Sequence, residues 1–212
     1  TLEMEIAQPR AVENQADLQA VLQDLHSRIY GIATVHRMLG ELGKEEAGNL
    51  QDSLDLAEVV TEVIHAALSA SPVQQWVDVV VDAAENLPRL SEEQATTLAL
   101  IVNELTTNSA KYAFVDRAQG RIQVQIDTVS VDEQDAQGAP QKVRLIFRDD
   151  GPGLPDDVLA GERRGVGLWL VEANTTHDIE GDIAWRNDEG PDGGPDGGPD
   201  GGAVVEIQFP IR

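Results

Sequence analysis

Between residues 18 and 42 the apolar positions fall on a helical stripe. Leu18, Leu25, Ile32 and Leu39 recur every seven residues, with Val21, Val35 and Leu42 on one flank and Leu22 and Ile29 on the other. The stripe is wider than a strict coiled-coil seam and suits a bundle helix. Thr1 to Ala7 reads as the tail of a preceding helix stopped at Pro9. Two antiparallel helices cannot bury such a stripe alone. Pairing of two chains into a four-helix bundle through residues 10–45 is one expectation; a helix packed on its own globular domain is the other. Gly40, Gly43 and Gly48 close the region.

The period then changes repeatedly. From Ser53, helical spacing places Leu56, Val59, Val60, Val63 and Ile64 on one face, ending before Pro72. Trp76 to Ala83 is rich in β-branched residues and reads as a strand. Ser91 and Gln94 form a capping-box start for a helix running to about Tyr112. Arg121 to Thr128 and Lys142 to Arg148 alternate as strands around a polar linker, Asp132 to Pro140. A helix is expected from Gly165 to about His177, then strands at Asp182 to Arg186 and Ala203 to Phe209. The result is an α+β chain: a helical hairpin over residues 1–50, then a two-layer α/β sandwich over 51–212, with about five strands under helices. A Pro-Asp-Gly-Gly tandem repeat starting at Pro191 separates the last two strands. It cannot bury a core and reads as a loop; its aspartates lack the terminal Glu and spacing of a calcium loop.

Composition narrows the chemistry. The chain has 212 residues and no cysteine, which excludes disulfides, thiolate zinc sites and a cysteine nucleophile. Its net charge of −23 disfavours nucleic acid and anionic lipid as partners. No apolar run reaches membrane-spanning length, and no signal-peptide pattern opens the chain, so no membrane contact and a cytoplasmic location are expected. Thr1 in place of an initiating Met suggests a piece of something longer. With only 4% aromatics, the core is expected to rest on Leu, Val, Ile and Ala.

Candidate chemistry sits in three runs. In the first, Asn103 to Tyr112, residues four apart share a helix face, so Glu104 stacks with Asn108, and Lys111 and Tyr112 follow a turn later. An Asn carbonyl oxygen suits Mg²⁺, which prefers oxygen ligands. Glu104 can polarise a water or hydroxyl, and Lys111 can neutralise phosphate charge. The same residues also fit a polar-faced surface helix. In the second run, Asp149 follows an apolar strand and precedes Gly151 and Gly153. A carboxylate there can accept from the exocyclic amine of adenine, and glycines let backbone pass close to a base. An ordinary Asp-Gly turn has the same letters. In the third, Gly165 and Gly167 begin a helix whose free N–H groups attract phosphate. Arg163 and Arg164 lie in the charged lid before it.

In this order the runs resemble known boxes. Ala99 to Phe114 resembles the N-box of sensor histidine kinases, Asp149 to Gly153 their G1 box, and Gly165 to Leu168 their G2 box. The resemblance implies the Bergerat-type ATP-binding sandwich of the GHKL superfamily, with ATP and Mg²⁺ as ligands. It gives Asn108 the metal and Asp149 the adenine. Gly151, Gly153, Gly165, Gly167 and Leu168 line the nucleotide, with Lys111, Tyr112, Arg163 and Arg164 as further contacts and Glu104 as the catalytic group. Leu22 to Leu39 is similar to the second dimerisation helix of the bacterial subgroup with short lids, and Leu2 to Glu5 to the end of the first. A homodimer and a response-regulator receiver domain are the partners so implied.

Two departures stand out. The subgroup's phospho-accepting histidine should precede Thr1 by roughly four helical turns. The usual Gly-Thr before the last strand is Gly202-Ala203 here, removing a hydroxyl near Asp149. None of the four histidines (His26, His36, His65, His177) begins an acceptor-like motif, and their spacing does not suit zinc. His36, on the stripe's edge, reads as an interface histidine. The chain is thus expected to bind Mg-ATP without phosphorylating itself. An anti-sigma-factor-type serine kinase and a non-catalytic dimeric nucleotide-binding scaffold are the alternatives.

Overall fold

The computed structural model describes residues 55–69, 71–130, 141–162, 165–188 and 202–211, together with six helical positions: 22, 25, 29, 33, 34 and 37. Expectations for the rest of residues 1–54, the Pro-Asp-Gly-Gly repeat, Arg163, Arg164, His26 and His36 lie outside them.

Helix α1 (Leu56–Ser69) starts later than its apolar spacing suggested. Asp55 caps it, its carboxylate accepting from the backbone N–H groups of Ala57 and Glu58 at 2.9 and 3.1 Å. Leu56, Val59, Val60, Val63 and Ile64, the stripe read from the sequence, are all buried. A 3-10 turn at Pro72–Gln75 leads into β1 (Val77–Ala83).

Helix α2 (Glu92–Asn108) begins at Ser91, whose hydroxyl accepts from the Gln94 N–H at 3.2 Å. The other half of the expected capping box is not made. Gln94 is buried and sends its side-chain amide 3.0 Å to the Pro210 carbonyl, so the residue ties the helix start to the end of the last strand. Nor does the helix continue as α to Tyr112. After Asn108 it widens into a π-turn, Ser109–Ala113. An extra residue per turn there changes which side chains face the sheet.

Strands β2 (Gly120–Ser130), β3 (Gln141–Asp149), β4 (Asp182–Asp188) and β5 (Gly202–Pro210) complete a five-stranded mixed sheet in the order β1-β2-β3-β5-β4. Only β1 and β2 run parallel, which the crossover through α2 permits; the other pairs are antiparallel. Between β3 and β4 the chain forms a single helical turn, α3 (Asp156–Leu159), and then α4 (Val166–Ala173), which ends in a second π-turn at Asn174–Asp178.

Alternation sets the two faces of the sheet. Ile122, Val124, Ile126, Val143, Leu145, Phe147, Val205, Ile207 and Phe209 point to the helices and are buried. Among the described residues the core rests on Leu, Val, Ile and Ala, as the scarcity of aromatics implied, joined by all three phenylalanines of the chain (Phe114, Phe147 and Phe209). The opposite face carries cross-strand ion pairs: Asp78 with Arg121, Asp127 with Arg144, Lys142 with Asp182, Arg148 with Asp188 and Arg186 with Glu206. Each such exposed pair adds up to about 1 kcal/mol, so they keep the face polar more than they hold the fold.

A candidate nucleotide-binding site

Of the sequence-predicted residues, Glu104, Asn108, Asp149, Gly151, Gly153, Gly165, Gly167 and Leu168 lie along the end of α2, the turn after β3 and the start of α4. Asp149 is the last residue of β3 and only 7% exposed. Its Oδ1 accepts from the Gly151 N–H at 3.0 Å and the Ala203 N–H at 3.3 Å, and its Oδ2 from the Ser109 hydroxyl at 2.7 Å. Burial pushes the Asp149 carboxyl above the usual range; the bonds from Ser109, Gly151 and Ala203 oppose that shift, and neighbouring Asp150 adds to it. An ionised carboxylate has about four lone-pair directions. Three are used, leaving one on Oδ2 for a further donor.

The turn after Asp149 is pinned from several sides. Arg117 donates to the Asp150 backbone carbonyl and forks onto its carboxylate at 3.3 and 3.2 Å, while the Asp150 carboxylate also accepts from the Arg121 N–H at 2.9 Å. The Asn187 side chain pairs with both backbone groups of Leu154, at 2.7 and 2.9 Å. A Cβ at Gly151 would stand 2.4 Å from that of Ala113, so this glycine lets the turn pass under the π-turn. Gly153 has φ +83°, a left-handed conformation that favours glycine, and it lies against Asn187.

On the other side, Glu104 is 8% exposed, and Asn108 is half-buried at the end of α2. A Cβ at Gly167 would lie 2.7 Å from Glu104 Oε2 and 3.7 Å from the Asn108 amide atoms. The structure therefore brings Glu104, Asn108 and Gly167 together. Asn108 Nδ2 is buried without a hydrogen-bond partner, so its amide is free to turn its oxygen toward a ligand; a divalent cation fits that donor. Gly165 caps α4 in extended conformation, and among the described residues a Cβ added to it would meet nothing within 4 Å. Leu168 is half-buried in α4. Lys111 and Tyr112 (72% exposed) lie on the surface of the π-turn and not beneath it. Arg163 and Arg164 lie outside the described residues. A cleft of about 760 Å³ touches Asp149 from the other side of the sheet, between Trp76, Arg121 and Arg148, and involves neither Glu104 nor Asn108.

Several positions were not singled out from sequence. Ser109 lies inside the first run, where nothing local assigns it a role. Arg117, Asp150 and Asn187 act through contacts across about thirty residues of chain, which no local pattern reveals. Gly202 is named in the sequence only as the neighbour of Ala203, yet a Cβ there would fall 1.7 Å from the Asp149 carbonyl oxygen. The loss of a hydroxyl at Ala203 is also less complete than it read, because the Ala203 N–H and the Ser109 hydroxyl both donate to Asp149.

Residues 93–212, more than half the chain and all the elements just described from α2 onward, match the family model for histidine kinase-, DNA gyrase B-, and HSP90-like ATPase. The chain belongs to that ATPase family. It is a GHKL-type ATP-binding domain homologous to sensor histidine kinases. It is 21% identical over 181 residues to the sensor histidine kinase PdtaS of Mycobacterium tuberculosis, a match covering 85% of this chain and 32% of that protein. The chain thus spans about a third of the length of the curated relatives it matches. Among solved structures it resembles the histidine kinase domain of the EL346 blue-light activated histidine kinase from Erythrobacter litoralis, with TM-score 0.62, 19% identity, and 94% and 89% of the two chains covered. It also resembles histidine kinase ThkA in complex with response regulator protein TrrA, with TM-score 0.53, 14% identity, and 98% and 53% covered. Among the described residues, no helix is long and apolar enough to cross a membrane.

Proposed function

We propose that this chain is the ATP-binding catalytic region of a two-component sensor histidine kinase. Residues 51–212 form the ATP-binding domain, and residues 1–50 are part of a dimerisation hairpin. The observation that carries the reading is the Asp149 carboxylate, buried and held by three donors with one acceptor position to spare. Adenine presents an amine where such an acceptor is useful.

In this reading Asp149 takes the adenine, Gly151 and Gly153 pass beside the base, and Gly165, Gly167 and Leu168 present the start of α4 to the phosphates. Asn108 holds Mg²⁺, which when bound neutralises charge developing on the phosphoryl oxygens. Lys111, Tyr112, Arg163 and Arg164 line the phosphate side. Glu104 orients the attacking histidine and accepts its proton. The histidine nitrogen forms a bond to the γ-phosphorus as the bond to the β–γ bridging oxygen breaks, and ADP leaves. The phosphoryl group then passes to an aspartate of a receiver domain. Receiver binding has a parallel in the ThkA complex, whose partner is a response regulator. The accepting histidine lies on a segment outside these 212 residues, and the reaction belongs to the cytoplasm. Exposed Leu22, Leu25 and Ile29 at helical positions support a homodimer through residues 10–45.

The test is direct. Titration with Mg-ATP is expected to show saturable binding, and incubation with γ-labelled ATP to leave the chain unlabelled. A stable acid-labile label on His26, His36, His65 or His177 overturns the placement of the acceptor, and failure to bind Mg-ATP overturns the reading itself.

A further inference from the structure

Ser109 is 4% exposed and opens the π-turn directly above Asp149. Its Oγ lies 2.7 Å from Asp149 Oδ2 and 3.2 Å from the Leu105 carbonyl. A hydroxyl has one hydrogen, so it donates to one of these at a time. When Asp149 is ionised, the charge-assisted bond to Oδ2 is the shorter and stronger choice. When Asp149 is protonated, the acid O–H donates to Ser109 Oγ, and the serine hydrogen turns to Leu105. The two protonation states therefore present different faces to a base. The ionised state leaves an acceptor on Oδ2. In the protonated state the single acid hydrogen either goes to Ser109 Oγ, leaving Oδ2 a weaker neutral acceptor, or turns to the base as a donor.

The other atoms around Asp149 do not share this role. Oδ1 is occupied by the Gly151 and Ala203 N–H groups, from the turn and from β5. The remaining charged neighbour is the Asp150 carboxylate, itself paired with Arg117 at 3.2 Å. Burial and Asp150 favour the protonated form, and Ser109 is the side chain that opposes them.

We propose that Ser109 is the positioning and specificity-determining residue of this pocket, holding Asp149 Oδ2 as an acceptor for an exocyclic amine and so selecting adenine over guanine. The inference rests on the nucleotide reading above and adds the residue that sets its base preference. Guanine offers a carbonyl where adenine offers an amine, so it gains only from a protonated Asp149 whose hydrogen turns from Ser109 to the base.

The experiment compares ATP and GTP binding to the full chain across pH for wild type, Ser109→Ala and the double variant Ser109→Ala, Ala203→Ser. Alanine is a stronger helix former than serine, so the single variant keeps the local fold. Wild type is expected to lose its preference for ATP as acid protonates Asp149. Ser109→Ala is expected to lower the ATP-to-GTP affinity ratio about tenfold at neutral pH, the size of one bond to a charged group, and to move the midpoint of the loss upward. A hydroxyl at position 203, whose N–H already reaches Asp149, is expected to restore much of both. A wild-type ratio flat with pH overturns the proposal, as does an equal loss of ATP and GTP in Ser109→Ala with an unmoved midpoint, the mark of a merely structural role. Carboxyl carbon titration by NMR on the nucleotide-free chain separates the two ideas. If Ser109→Ala raises the Asp149 midpoint there while no nucleotide binds, the pocket reading fails and the serine–aspartate coupling stands. If nucleotide binds and that midpoint does not move, the Ser109 assignment alone fails.

Discussion

Asp149 is costly to the fold where it is useful to the site. Its folded carboxyl is raised above the ordinary value, so the native chain holds the proton more tightly than the unfolded chain does. The stability this provides is full below the ordinary carboxylate value of about 3.9 and is lost as pH rises through the raised folded value. Once ionised, the carboxylate is unfavourably buried and ready to accept. Asp149→Asn keeps the shape: its Oδ1 accepts from Gly151 and Ala203, and its amide donates to Ser109. The variant is therefore expected to melt no lower than wild type at neutral pH. It presents an amide hydrogen to the adenine amine, so ATP affinity is expected to fall by about tenfold to a hundredfold, the span of one bond to a charged acceptor. Calorimetry and thermal melts on the same samples check both signs.

At the scale of elements, glycines decide how closely α2, β5 and the turn after β3 approach. Gly202 and Gly165 look alike in the sequence, each in a short glycine-rich run, yet their surroundings are opposite. Gly202→Ala drives a methyl into the Asp149 backbone and is expected to cost at least about 2 kcal/mol and most ATP binding. Gly165→Ala meets open space and is expected to cost less than about 1 kcal/mol of stability; urea unfolding distinguishes them. This contrast marks where sequence reading ran out. Helices and strands were legible because burial enforces a period: Val59, Val63 and Ile64 had to be a helical face, and Ile122, Val124 and Ile126 a strand face. The positions of Asn108, Asp149 and Gly165 were legible because each sits at an element's end, where local sequence sets the geometry. The diverted Gln94 amide, the π-turn after Asn108 and the Gly202 contact depend on partners far along the chain. Such dependence leaves no local period to read.

On the scale of the molecule, all the site elements lie on the helix side of the sheet, and the back is a lattice of paired charges. Arg37, one of the described N-terminal helical positions, lies 3.8 Å from Glu62 of α1, a half-exposed pair worth up to about 1 kcal/mol. The β4–β5 ladder closes with Asp188 opposite Gly202, next to the Asp149 backbone. The connection over residues 189–201 therefore leaves and re-enters the sheet at two positions already bonded to each other. Removing one Pro-Asp-Gly-Gly unit is expected to leave ATP affinity within about twofold of wild type, since halving a loop changes closure by only about 0.6 kcal/mol. The same closure makes this junction a socket for cargo. A dye or peptide tag spliced between Asp188 and Gly202 would ride beside the Asp149 backbone and, under the proposed nucleotide reading, report a purine's arrival without the sheet having to re-thread.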